Sequence, residues 1–154
     1  MVSFLRKFKF FVNNKMVIVD KKYFRIEEEK KPLLEKYFNK ELKLTEQFNK
    51  VDYIGEDIEI ELKTRNNFSY TYKDTMIGMD KINHLLKSEN NGYAVFNFKD
   101  GLFYMLINKE NVEKCNINCK GGRTDRGLSE IKENGYCYIP IKLLIKISFH
   151  IDFN

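Results

Sequence analysis

The stretch Val51-Asp52-Tyr53-Ile54-Gly55-Glu56-Asp57-Ile58-Glu59-Ile60-Glu61-Leu62-Lys63 reads as a β-hairpin that carries carboxylates side by side and ends in a lysine. From Asp57 to Lys63 polar and apolar residues alternate strictly. Ile58, Ile60 and Leu62 therefore share one face of a strand, and Asp57, Glu59, Glu61 and Lys63 share the other. Val51 to Ile54 is rich in β-branched and aromatic residues, and Gly55-Glu56 suits a two-residue turn in which glycine takes the unusual φ. That turn sets Asp52 opposite Glu59 and diagonal to Glu61. A turn at Glu56-Asp57 sets Asp52 directly opposite Glu61, and both registers keep the two side chains on one face.

Like charges facing each other across two strands cost roughly a few tenths of a kcal/mol to 1 kcal/mol when exposed, and more when buried. A hard divalent cation offsets that cost, and magnesium characteristically takes one or two carboxylates, leaving its other positions to water and phosphate. Lys63 points the same way and is placed to orient or deprotonate a water, or to stabilise charge on a phosphate. The plainer alternative is a solvated hairpin face on which Lys63 merely neutralises Glu61. The tripeptide Glu-x-Lys does not decide between the two, because it recurs at Glu28/Lys30, Glu29/Lys31, Glu41/Lys43 and Glu130/Lys132. What sets Glu61-Leu62-Lys63 apart from Glu41-Leu42-Lys43 is the preceding hairpin partner with its inward Asp52.

These residues resemble the signature of the PD-(D/E)XK nuclease superfamily, an Asp near the end of one strand followed by Glu-x-Lys in the next, antiparallel one. Here they are Asp52 and Glu61-Leu62-Lys63, with Val51 where the signature often has proline. The order of elements over about residues 27–108 also fits: helix, hairpin, helix near residues 73–88, then a strand around Tyr93 to Phe98. The resemblance implies an α/β fold with a central mixed β-sheet flanked by helices, a restriction-endonuclease-like core. It further implies a metal-dependent endonuclease that hydrolyses DNA phosphodiester bonds. Asp52 and Glu61 would hold Mg²⁺ or Mn²⁺, the backbone carbonyl of Leu62 would add a ligand, and Lys63 would act on the attacking water. A further acid is expected on the preceding helix; Glu35 is the candidate, with Glu27 to Glu29 left open.

With 154 residues, 43% of them hydrophobic, the chain is expected to form a single domain, 1–154. Its core would carry a basic amino-terminal addition and a Gly/Arg-containing carboxy-terminal one. The net charge of +5 is uneven, with nine Lys/Arg against four acids in residues 1–31 and eighteen of each thereafter. Phosphate backbones attract such a patch without reading sequence, although basic solvated faces are also common. The abundance of Lys and Asn, with 13 Phe, 9 Tyr and no Trp, reads as A/T-rich coding bias rather than function.

Phe4 to Phe11 mixes bulky apolar and basic residues, which fits a membrane-surface segment less well than a strand or helix covering the core. No stretch approaches the roughly 20 apolar residues of a membrane span, so a soluble, intracellular protein is expected, with a homodimer left open. Cys115, Cys119 and Cys137 lack zinc-site spacing and read as free thiols; a zinc cluster completed by His150 is the lesser alternative. His84 reads as a surface or core-edge histidine.

Along the chain, Met16 to Val19 predicts a strand. Residues 27–38 predict a helix with Leu33, Leu34, Tyr37 and Phe38 as its stripe, in which Pro32 lies in an early turn or marks the true start. Leu42 and Leu44 predict a strand joining the hairpin. Ile77, Met79, Ile82, Leu85 and Leu86 give helical spacing from Lys73 to Lys87. Ala94-Val95-Phe96 and Leu102 to Ile107 flank an Asp100-Gly101 turn, predicting a second hairpin that forms outer strands of the core. Tyr138 to Ile147 predicts a last strand running into a short helix. Arg65, Lys81, Arg123 and Arg126 are candidate phosphate contacts, the last two in the glycine-rich segment Lys120 to Gly127, which fits no nucleotide-binding fingerprint. Structural salt bridges for the arginines and a snorkelling Lys81 are the plainer alternatives. Two rivals to the nuclease stand: an inactive nucleic-acid-binding module, and a structural or protein-interaction domain of the same fold.

Overall fold

The computed structural model describes residues 8–12, 15–19, 21–46, 49–118 and 135–149. Arg123, Arg126, Cys119, His150 and the Lys120 to Gly127 segment lie outside them. Strands β1 (Phe8–Val12) and β2 (Lys15–Val19) pair antiparallel as a hairpin, so the amino-terminal aromatic segment is extended from Phe8 onward. Helix α1 (Lys21–Phe38) starts earlier than the apolar spacing predicts and keeps Pro32 inside it.

Next come β3 (Leu42–Leu44), β4 (Tyr53–Gly55) and β5 (Ile58–Thr64), an antiparallel meander. Gly55 faces Ile58, so the two-residue loop is Glu56-Asp57, the second of the two predicted registers. The unusual backbone falls on Asp57, at φ +56°, rather than on the glycine. Gly55 is required for another reason: a Cβ there would sit 2.5 Å from the Glu41 carbonyl and 2.8 Å from Ile58. Lys40 holds the Asp57 carboxylate at 3.0 Å, tying the turn to the end of α1.

The predicted helix at Lys73 to Lys87 is two elements. Its first part is strand β6 (Asp74–Gly78), and only Met79–Lys87 is helix α2. Thr75 and Ile77 alternate inward, and β6 pairs with β10 (Tyr136–Pro140), a partner about sixty residues away that local spacing cannot reveal. Ile77 thus belongs to the strand, Met79, Ile82 and Leu85 are the buried helical face, and Leu86 is exposed.

Strands β7 (Asn91–Phe98) and β8 (Gly101–Leu106) form the second hairpin, turning through Lys99-Asp100. They are not outer strands. β7 pairs parallel with β5 on one side and antiparallel with β8 on the other, which explains why Ala94, Val95 and Phe96 are fully buried. After α3 (Lys109–Glu113) and β9 (Asn116–Asn118), the chain ends its described course with β10, a 3₁₀ turn (Ile141–Leu143) and β11 (Ile145–Lys146). The main sheet is mixed, ordered β11-β8-β7-β5-β4-β3; a three-stranded sheet β6-β10-β9 and the two-stranded β1-β2 ribbon are separate from it. This is the expected α/β architecture.

Two cores follow from the alternation along β5 and β7. Ile58, Ile60, Leu62 and Val95 pack with Leu34 of α1, whereas Ala94, Phe96 and Phe98 pack with Ile82 and Leu85 of α2. Glu59, Glu61 and Lys63 alternate with the first set, and Glu61 is in register with Ala94 on β7. The acidic face of β5 is therefore turned toward α2 and is largely buried.

Candidate active site

A carboxylate row on a strand is harmless in water and expensive in a core. Here Glu59 is 8% exposed and Glu61 only 2%. Two ammonium groups meet Glu61 from different elements: Lys63 Nζ at 2.7 Å and Lys81 Nζ at 3.5 Å, both on Oε1. Lys81, carried by α2, also donates to the Lys50 carbonyl at 2.7 Å. The other oxygen, Oε2 of Glu61, is buried without a partner. Burial raises the Glu61 pKa, against the pull of Lys63, with Asp52 adding a smaller push upward.

Asp52 lies one residue before β4 and is fixed by its backbone: its N–H donates to the Ile60 carbonyl and its own carbonyl accepts from Thr45 N–H, each at 3.0 Å. Its carboxylate Oδ2 then accepts the Leu62 N–H at 2.7 Å. Burial first and the neighbouring Glu27 second push the Asp52 pKa up to about 6, against that amide bond and the two lysines.

Glu27 is the acid that α1 supplies. Burial raises its pKa, and its carboxyl is close enough to that of Asp52 for each to influence the other's ionisation. Its position is set by Tyr53, whose hydroxyl donates to the Glu27 carbonyl at 2.5 Å. Glu35 sits elsewhere on the helix, where Oε2 accepts the Leu42 N–H at 2.9 Å and so fastens α1 to β3. Of the acids weighed on the helix, the structure thus brings Glu27 to the cluster. Glu27 heads a run of three glutamates, and sequence spacing cannot choose among them without the distance and rotation of α1 against the hairpin.

Arg65, on the same strand face as Lys63, turns to β6 instead: its guanidinium donates to the Met76 carbonyl and, at 3.3 Å, to Thr75 Oγ1, and it lies over the Phe96 ring. The neighbouring pair was not foreseen: His84 Nε2 stands 3.6 Å from Glu59 Oε1, and both Glu59 Oε2 and His84 Nε2 are buried without hydrogen bonds. A pocket of about 260 Å³ opens here, lined by Lys50, Asp80, Asn83, His84 and Lys87. The larger cavity, about 400 Å³ around Leu85, Gly92 and Ile107, is formed at the start of β7 and includes none of the clustered acids. Cys115 and Cys137 are free thiols, and burial pushes Cys137 up to about 12.

Among the described residues, no three acid, His or Cys side chains stand at cation-ligating distances. The donor chemistry nevertheless fits a hard divalent ion, which needs only one or two carboxylates from the protein: Asp52 and Glu61 are close enough to couple, and Glu61 keeps an unpaired buried oxygen. No helix among the described residues is long and apolar enough to cross a membrane.

The sequence family described as "Phage putative PDDEXK endonuclease" matches residues 26–147, beginning at the helix that carries Glu27 and running well past residue 108 to the last strand. No curated protein and no solved structure matches the chain.

Proposed function

The chain belongs to this phage PD-(D/E)XK family, and from that premise we propose that it is a nuclease that hydrolyses DNA phosphodiester bonds at the Asp52, Glu61 and Lys63 cluster. The observation that carries the reading is the burial of Glu61 against two lysines with one oxygen left unpaired. A solvated hairpin face would not have this, since it would leave the acids in water and their partners optional.

Family membership implies a divalent metal, and Mg²⁺ or Mn²⁺ is the ion proposed. Asp52 and Glu61 would hold it, with the Leu62 carbonyl as a further oxygen donor. Bound there, it would supply Lewis-acid charge to a phosphate and favour ionisation of a water.

The chain's own residues do the rest. Glu61 fixes the Lys63 ammonium by a 2.7 Å ion pair, so the amine is held beside the acids rather than free on its stem. From there Lys63 orients the attacking water and offsets negative charge as it grows on the phosphate. Lys81 shares Glu61 and favours its ionised form against the burial that disfavours it. Burial, with the negative charge of Glu27 beside it, raises the Asp52 pKa to about 6, so Asp52 is available to a cation once the pH exceeds that value.

The test is incubation of purified protein with plasmid, linear, single-stranded and branched DNA in EDTA, Mg²⁺ or Mn²⁺, beside Lys63→Ala. Cleavage that needs the cation and disappears in the variant supports the reading. Metal-independent cleavage, or equal cleavage by Lys63→Ala, refutes it.

A further inference from the structure

Five residues beyond Lys63, the segment between β5 and β6 sets three large aromatic rings in water: Phe68 is 40% exposed, Tyr70 75% and Tyr72 66%. Single exposed aromatics are ordinary, but three within five residues forgo burial that each ring would otherwise contribute to the fold. The segment is also tied down. Asp100, in the β7-β8 turn, accepts from Ser69 N–H at 2.8 Å and from Ser69 Oγ at 2.6 Å. Phe68 N–H bonds Thr71 Oγ1 and Thr71 N–H bonds the Phe68 carbonyl. Outside the rings, Lys99 N–H bonds the Asn67 carbonyl and Ile141 N–H bonds that of Lys73. An anchored backbone carrying exposed rings is a pre-set surface, one that binds without first having to be ordered.

The rings are arranged for flat partners. Phe68 and Tyr70 stack at 5.3 Å with 16° between their planes, and Lys99 Nζ stands 5.8 Å from the Phe68 centroid. Lys73 closes the segment, also exposed. Aromatic faces interleaved with ammonium groups match an unpaired nucleotide strand, whose bases stack while its phosphates pair with lysine. Duplex DNA keeps its base faces covered and offers such rings nothing to stack on. The distance suits the site: five residues of chain span at most about 18 Å, so Phe68 lies within a few nucleotides of a phosphate at Lys63.

We propose that Phe68, Tyr70 and Tyr72 form a stacking platform for unpaired DNA bases, directing the site toward single-stranded or branched substrates. The proposal rests on the nuclease reading for its consequence in cleavage, but its binding component stands apart from metal chemistry. The experiment therefore titrates the full chain, in EDTA, into a 2-aminopurine-labelled single strand and into a duplex of equal length. Stacking by alanine substitution is worth about 1–3 kcal/mol per base, so Tyr70→Ala with Tyr72→Ala should weaken single-strand binding about 5- to 150-fold per base lost and abolish the fluorescence quench. Duplex affinity should stay unchanged, and Tyr70→Phe with Tyr72→Phe should retain binding. Equal single-strand affinity in the alanine variant overturns the proposal, as does an equal loss on duplex. So would alanine variants that abolish self-association in size-exclusion chromatography without altering DNA binding, since the rings would then face a second copy. Cleavage of each DNA with Mn²⁺ is read separately: a chain that stacks but never cuts overturns the nuclease reading alone.

Discussion

Replacing Asp52 by Asn should make the metal-free protein more stable while removing its cleavage. In the wild type Asp52 accepts the Leu62 N–H and lies beside the Glu27 carboxyl, whose charge opposes its own. Asparagine keeps the first contact, its Oδ1 accepting from Leu62, and sets a neutral amide with two N–H donors beside Glu27 in place of a second acid. The Asp52 pKa stands at about 6 against a usual 3.8. An acid raised in the folded state binds more protons folded than unfolded, so wild-type stability is full below about pH 4 and declines as pH rises through about 6. Two units at 1.36 kcal/mol each give about 3 kcal/mol, or about 1.5 kcal/mol if water enters the ionised site. Urea unfolding in EDTA at pH 4 and pH 8 reads this directly: Asp52→Asn should match wild type at pH 4 and exceed it by about 1.5–3 kcal/mol at pH 8. Saturating Mn²⁺ should then raise the wild type by mass action and leave the variant nearly unmoved. A variant less stable than wild type at both pH values, or a difference independent of pH, would refute the buried-acid argument.

The remaining substitutions separate site from scaffold. Lys63→Ala should lower cleavage by about 10²-fold or more with the circular dichroism spectrum preserved, because it removes a charge aimed at the reacting phosphate. Glu27→Ala should reduce cleavage and cation affinity, measured by Mn²⁺ titration, whereas Glu35→Ala should leave cleavage intact and cost about 1–3 kcal/mol in urea unfolding by orphaning the Leu42 N–H. Gly55→Ala should destabilise by about 1–3 kcal/mol, since its Cβ would press on the Glu41 carbonyl, and a melting temperature equal to wild type would contradict the close approach.

How far the sequence disclosed this molecule depended on the range of the interaction involved. The hairpin was legible because alternation along Ile58 to Leu62 and a two-residue turn are local, and both readings of the turn already put Asp52 and Glu61 on one face. The choice between them turned on Asp57 adopting φ +56°, which acidic residues tolerate but glycine is the usual guess for. β6 was read as helix because Ile77 and Met79 fit a stripe that continues into α2, while the β10 partner that makes Asp74–Gly78 a strand is remote in sequence. The choice between Glu35 and the Glu27 to Glu29 run on the first helix is hidden from the sequence for a similar reason. Glu35 lies among the apolar residues of α1, but the turn that approaches Asp52 is the one pinned by Tyr53, and nothing local to Glu27 announces that contact.

The same burial also explains why the site costs stability, and why that cost is informative. Two structural ion pairs would have satisfied Glu61 fully, yet both lysines crowd Oε1 and leave Oε2 bare, and Asp52 meets another carboxyl rather than an amine. A chain selected only for folding would lose nothing by an asparagine at 52. Surface charge repulsion is negotiable, because water screens it; inside the β5–α2 interface it is not, and the cation proposed for the site would offset it from outside the chain. The lysines oppose the effect of burial on Glu61 without completing its coordination, which leaves Oε2 receptive. That incompleteness, more than the presence of any one residue, is what supports the proposed reading of the cluster over a plain salt bridge.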